Sequence, residues 1–362
     1  MTAASEILSN PRQSTGGTPR FPGLRFLITI ILLTYGVVAG FIFLKGWSLN
    51  NWIIAGRTRA FLDVADGLMK WNFTGLEVKA FWGVSIATAL VEQLTGMSSA
   101  NALLGICLFC GVASIFLVYE LFGWQVAALA TFISGSWVKH VLLGGTEPLF
   151  VFLILLAVWL LRAERVVPCA VIAALACTVR PVGITFAAAL VANLLYSRRT
   201  TEAVRCCLAM GAIGLAYMAL LYAATGDPLS NVHGYRGDWS GELPIGIPVF
   251  AIFRHAPRLP MGAWIKDLGF VFLTFLCLYQ TRSRLLTESL QLSGRVEAWF
   301  VILFAAFHLS YNSPYGLSEY PRFIVPLMPW LAASLNKSIP MGKVALLLAA
   351  GVLTTYNAFT LG

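Results

Sequence analysis

The chain has 362 residues, 58% of them hydrophobic and only 11% charged, where soluble domains carry roughly a quarter. So few charges cannot build a surface that faces water, and this excludes a soluble globular enzyme. The net charge of +9 is scattered as single and paired Lys and Arg, a pattern of membrane-flanking anchors and not of a nucleic-acid footprint.

Residues 1–23 are rich in Ser, Thr, Pro and Gly and read as a disordered cytoplasmic tail. Residues 24–362 read as a single membrane-embedded domain. Its apolar runs fall at about 24–44, 81–95, 102–122, 125–142, 148–161, 166–179, 181–196, 204–224, 264–280, 297–311, 322–335 and 343–361. Two long polar stretches, 45–80 and 225–263, interrupt them. The seven cysteines sit almost wholly inside apolar runs, with Cys107 and Cys110 in the middle of one, so neither a disulfide frame nor a zinc site is expected.

The short connections holding Arg162 and Arg165, Arg198 and Arg199, Arg282 and Arg284, and Lys337 and Lys343 are basic. The connections 143–147 and 312–321 contain no Lys or Arg. The positive-inside rule therefore puts the first group in the cytoplasm and the second, with both long loops, outside. Parity then requires one apolar run not to cross. Of the three runs between 45–80 and 143–147, the run 81–95 is the weakest, at about 22 Å against a hydrocarbon core of about 30 Å and with Glu92 and Gln93 near its end. The expectation is an all-α polytopic bundle of about eleven crossings plus one re-entrant or surface-lying helix.

Ionisable residues at membrane depth are functional candidates. Glu147 in Gly-Gly-Thr-Glu-Pro, Arg180 in Thr-Val-Arg-Pro and Arg322 in Tyr-Pro-Arg-Phe each fall at the outer end of a helix. The long loops add Asp63, Asp66, Asp227, His233, Asp238 and Glu242 on the same side. Two arginines there suit the phosphate or pyrophosphate of a lipid that enters sideways from the bilayer. Each residue also has a plainer reading. The arginines can snorkel to headgroups, Glu147 suits a helix start, Asp227 before Pro228 suits a turn, His233 suits a loop, and Trp239 suits an interface belt. Asp63 and Asp66 stand at i and i+3, so one can act while the other orients it.

Four segments carry a family resemblance. Gly144-Gly145-Thr146-Glu147-Pro148 opens a Leu-rich helix; Arg180-Pro181-Val182-Gly183 opens another; Thr225-Gly226-Asp227-Pro228-Leu229 precedes His233 and Trp239; and Tyr320-Pro321-Arg322-Phe323 precedes Pro326 and Pro329. In this order, over about 55–335, they resemble the GT-C superfamily of integral-membrane glycosyltransferases. The Gly-Asp-Pro loop is similar to that of the GPI-anchor second-mannose transferases.

The resemblance implies a polyprenyl-phosphate sugar donor, a lipid, glycan or protein acceptor, an outward-facing site and an aspartate of the first outer loop as base. No obligatory nucleotide cofactor is expected, since the sequence offers no soluble nucleotide-binding unit, and a divalent metal has no support from residue spacing. Arg180 and Arg322 would bind the donor phosphate, and Asp63, then Asp66, would be the base. Glu147, Asp227, His233 and Trp239 would contact substrate. One departure stands out: the family's loop pattern, aligned on Ala65 and Leu68, places Arg57 where its aspartate is expected. The competing functions are a lipid-linked glycan ligase or polymerase and a lipid-linked sugar flippase or transporter. Short loops favour a bacterial inner membrane, with the site facing the periplasm.

Overall fold

A computed structural model of the chain describes residues 58–73, 81–132, 135–234, 261–287, 289–311 and 320–338, with isolated positions in 28–40 and 246–249. Every regular element among the described residues is helical. In chain order they are α1 (Thr58–Lys70), α2 (Gly83–Thr95), α3 (Ser99–Phe122), α4 (Trp124–Phe132), α5 (Gly135–Leu143), α6 (Glu147–Arg162), α7 (Val166–Val179), α8 (Ile184–Tyr196), α9 (Thr200–Thr225), α10 (Ser230–Gly234), α11 (Met261–Thr287), α12 (Leu292–Ser310), α13 (Tyr320–Phe323) and α14 (Met328–Ser338).

Three of these, α3, α9 and α12, are long and apolar enough to cross a membrane; the bent pair α5–α6 makes a fourth if counted as one span. Among the described residues the expected eleven crossings are not reached on helix length, for local reasons. The run 125–142 divides into two nine-residue helices, α4 and α5. The runs behind α6, α7 and α8 give helices of 16, 14 and 13 residues. Residues 322–335 are broken by a 3-10 turn at Val325–Leu327, beside Pro326 and Pro329, which cannot donate to a helix ladder. The tail 1–23 and the last run, 343–361, lie outside the described residues, as does most of the first run, 24–44.

The α3/α6 pair sets the frame. Helix α3 starts on Ser98, whose hydroxyl accepts from the Asn101 amide, and stops at Gly123 with φ +89°. Helix α6 runs antiparallel beside it and is fastened at both ends. The Cys107 thiol reaches the Gly145 carbonyl at 3.5 Å, and Arg162 Nη1 donates to the Leu121 carbonyl at 2.7 Å. The second fastening is part of a clamp. Arg162 also makes a two-pronged pair with Glu297 of α12, both bonds 2.8 Å, and Trp330 of α14 donates to the same carboxylate at 3.3 Å. Four helices are thereby tied at one end of the bundle.

At 16 and 14 residues, α6 and α7 reach only about 21–24 Å from that clamp, whereas α3 reaches about 36 Å. The difference leaves a recess at the far end, beside the first turns of α3, and α1 and α2 pack there. Helix α1 runs antiparallel to α3: Thr58 lies beside Gly144, and Asp66 lies beside Ser99. Helix α2 is 13 residues, about 20 Å, and begins where Gly83 packs against the Thr178 backbone at the end of α7. A Cβ on Gly83 would stand 2.7 Å from Thr178 backbone atoms, so only glycine permits this approach.

Candidate functional site

The site forms where two helices end early. Between α5 and α6 the chain bends by 111°. Gly144 makes the bend at φ +87°, a left-handed conformation that costs a side-chain-bearing residue about 1–2 kcal/mol. Gly145 is required for space: a Cβ there would lie 2.5 Å from the His140 ring and 2.7 Å from the Glu147 carboxylate. Pro148 then fits the first turn of α6, where its missing N–H has no partner to lose. The Gly-Gly-Thr-Glu-Pro motif thus reads as a device that folds His140 back over Glu147.

Glu147 is fully buried, and its carboxylate collects groups from four chain segments. Oε1 accepts from Arg322 Nε at 2.7 Å and from Arg180 Nη1 at 3.5 Å. Oε2 lies 3.5 Å from His140 Nε2 and 3.5 Å from the Thr146 hydroxyl. The Arg180 guanidinium also lies near the rings of Phe150 (5.8 Å) and Phe323 (6.0 Å). Lys139 is close enough to Arg322 for their charges to repel. Isolated, such a carboxylate would be very costly to bury; here two guanidinium groups offset that cost. The arginine side chains are 12% and 25% exposed, so the hub is closed on the carboxylate and open on the cationic side.

One turn and two turns along α6, Val151 and Leu155 line a narrow apolar cleft with Trp137, Val325 and Met328. The cleft begins about one turn of α6 deeper in the bundle than the hub, and its walls are almost wholly apolar.

Of the candidates read from sequence, Glu147, Arg180 and Arg322 come together. His140 joins them and was not singled out; the signal was the bend, which turns its helix back onto Glu147. Asp63 and Asp66 hold different partners. Asp63 is 57% exposed, with Arg59 Nε 4.0 Å away on the preceding turn. Asp66 is turned inward, where the Ser99 hydroxyl bonds it; the same hydroxyl reaches Glu92 at 2.6 Å. Asp66 is thus joined to the α2–α3 corner, about 12 Å of α3 beyond the level of Cys107 and Gly145.

Asp227 and His233 form a separate pair with Nδ1 and Oδ2 2.6 Å apart, while Asp227 Oδ1 caps the Leu229 amide at 2.9 Å. This turn is linked to the rest. Tyr217 donates to Asn231 at 2.7 Å and accepts from the Trp82 amide at 3.0 Å, next to the Gly83 approach. Asp238, Trp239 and Glu242 lie outside the described residues, as does Arg57. All of these observations concern the chain itself. It matches no family model, no curated protein and no solved structure. The functional reading therefore rests on the hub, its cleft and the four segments that resemble GT-C motifs.

Proposed function

We propose that the protein is a GT-C type glycosyltransferase that moves a sugar from a polyprenyl-phosphate donor to a lipid, glycan or protein acceptor, with mannose favoured by the Gly-Asp-Pro loop. The observation that carries this reading is the convergence of Arg180 and Arg322 at one buried point, the Glu147 carboxylate. The donor phosphate would sit on the cationic side of the hub and its chain in the cleft. In the transfer, the C1–O bond to phosphate breaks and its electron pair stays on the phosphate oxygen. The acceptor oxygen bonds to C1 as its proton passes to a carboxylate. Preorganised guanidinium groups stabilise the charge that collects on the leaving phosphate.

Asp63 suits the base better than Asp66. Its carboxylate is open, whereas that of Asp66 is held by Ser99, and it lies about one turn nearer the hub end of α1. Asp227, His233 and Trp239 would line the sugar and acceptor sides. The bundle would cross a bacterial inner membrane about eleven times, with α2 not crossing and the hub facing the periplasm.

One observation favours a different class. A helix broken by 111° at a charged hub is also how transporters build substrate sites, so a lipid-linked sugar flippase is the second reading. Sugar transfer in proteoliposomes separates the two. Wild type and Asp63→Asn would each be given labelled polyprenyl-phosphate mannose, glucose or arabinose with a membrane-lipid acceptor extract. Transfer by wild type, reduced at least a hundredfold in Asp63→Asn, is expected. Donor that changes leaflet with its sugar-phosphate bond intact would replace the transferase with the flippase.

A further inference from the structure

We propose that Glu147 is the positioning residue of the phosphate site: its carboxylate sets the spacing of Arg180 and Arg322 and does not itself contact substrate. The proposal rests on the reading of the two arginines as phosphate ligands and gives the third charged member of the hub a role. Glu147 is 0% exposed, so a sugar or acceptor hydroxyl has no route to it without displacing protein groups. A single oxygen, Oε1, accepts from both guanidinium groups. The two nitrogens are therefore held within about 6 Å of each other, a span that one phosphate bridges with two of its oxygens.

The arginines arrive on chain segments far apart in sequence, Arg180 at the end of α7 and Arg322 in the short α13. Two like charges this close in a poorly screened setting repel, and Glu147 opposes that repulsion. Its position is fixed in turn. It lies in the first turn of α6, favoured by the helix dipole, beneath His140 and against Gly145, which leaves no room to move.

The proposal gives a sign opposite to that of simple electrostatics. A carboxylate beside an anion site should weaken binding by repulsion, so neutralising it should tighten binding. If Glu147 spaces the arginines, neutralising it lets them separate and binding weakens.

The test is the affinity of the detergent-purified full chain for farnesyl phosphate and for farnesol, in wild type, Glu147→Gln and Glu147→Asp. Farnesol probes the cleft alone and so reports any general loss of structure. The expected result is farnesyl phosphate binding weakened at least tenfold in Glu147→Gln, with farnesol binding unchanged. Glu147→Asp, which keeps the charge on a shorter arm, should fall between wild type and Glu147→Gln. If Glu147→Gln does not fold, weaker phosphate binding by Glu147→Asp with farnesol unchanged still carries the proposal.

Farnesyl phosphate bound by Glu147→Gln, or by Glu147→Asp, as tightly as by wild type overturns it and leaves the arginine site standing. Wild type that prefers farnesyl phosphate no more than farnesol removes the arginine site itself, and the proposal with it.

Discussion

At the scale of single residues, the geometry at the bend is set by two glycines with different tasks. Gly144 supplies a backbone angle and Gly145 supplies space, so their alanine variants should fail differently. Gly144→Ala should lower stability by about 1–2 kcal/mol, read from unfolding in detergent, because a left-handed alanine is strained. Gly145→Ala should cost phosphate-lipid affinity more than stability, since its methyl displaces the His140 ring and the Glu147 carboxylate. Titration with farnesyl phosphate beside a melting curve checks this. Equal losses in the two variants by both measures would mean that the glycines serve only the turn.

The motif around Glu147 was legible in the sequence as a polar interruption before a Leu-rich helix. Its partners were not, because His140 meets Glu147 only through the 111° bend, and Arg322 comes from a segment 175 positions away. Residue type and terminal placement put Arg180 and Arg322 on the same side of the membrane but did not give their shared contact with Glu147. The same reasoning paired Asp63 with Asp66 by helical spacing, yet α1 presents one outward and turns the other to Ser99. Spacing gives the face of a helix but not what packs against it.

At the scale of elements, two polar links carry much of the arrangement. The Arg162–Glu297 clamp joins α6 to α12, with Leu121 of α3 and Trp330 of α14 in the same network. Arg162 reads from sequence as a cytoplasmic anchor; in the fold its head is also a tie between helices. Breaking a buried pair leaves the other charge unmatched, so Glu297→Gln should destabilise the protein by about 3 kcal/mol, seen as a lower detergent melting temperature. A melting temperature unchanged from wild type would show the clamp to be solvated.

The second link is Tyr217, which connects the Trp82 amide at the start of α2 to Asn231 of α10. Tyr217→Phe removes both bonds and should raise hydrogen exchange at residues 82–84 while leaving the α3/α6 pair protected. Apolar runs predicted helices well, but not their breaks. Run 125–142 gives α4, ending at Phe132, and α5, beginning at Gly135 within Ser134-Gly135-Ser136, a small-residue cluster that hydropathy alone passes over.

At the scale of the whole molecule, unequal helix lengths make the site. Helices α6 and α7 stop about 12–15 Å before α3 does, and α1 and α2 pack beside the recess. The second long loop also returns to this end. The Gly246 and Val249 amides donate to the Ser310 and Leu309 carbonyls at 2.8 Å, beside His308, which packs against Phe323 under Arg180. Loop, broken helix and short helices therefore meet at the hub, as expected if it receives a ligand from the bilayer and an acceptor from the aqueous side.

The most direct test of this arrangement is an electron cryomicroscopy map of the protein in nanodiscs loaded with a polyprenyl phosphate. The expected result is phosphate density within hydrogen-bond reach of both Arg180 and Arg322, with Glu147 still against their guanidinium groups and the chain density leading along the Val151–Leu155 cleft. Phosphate density elsewhere, with the two arginines engaged only by Glu147, would contradict it and reduce the hub to a structural ion cluster.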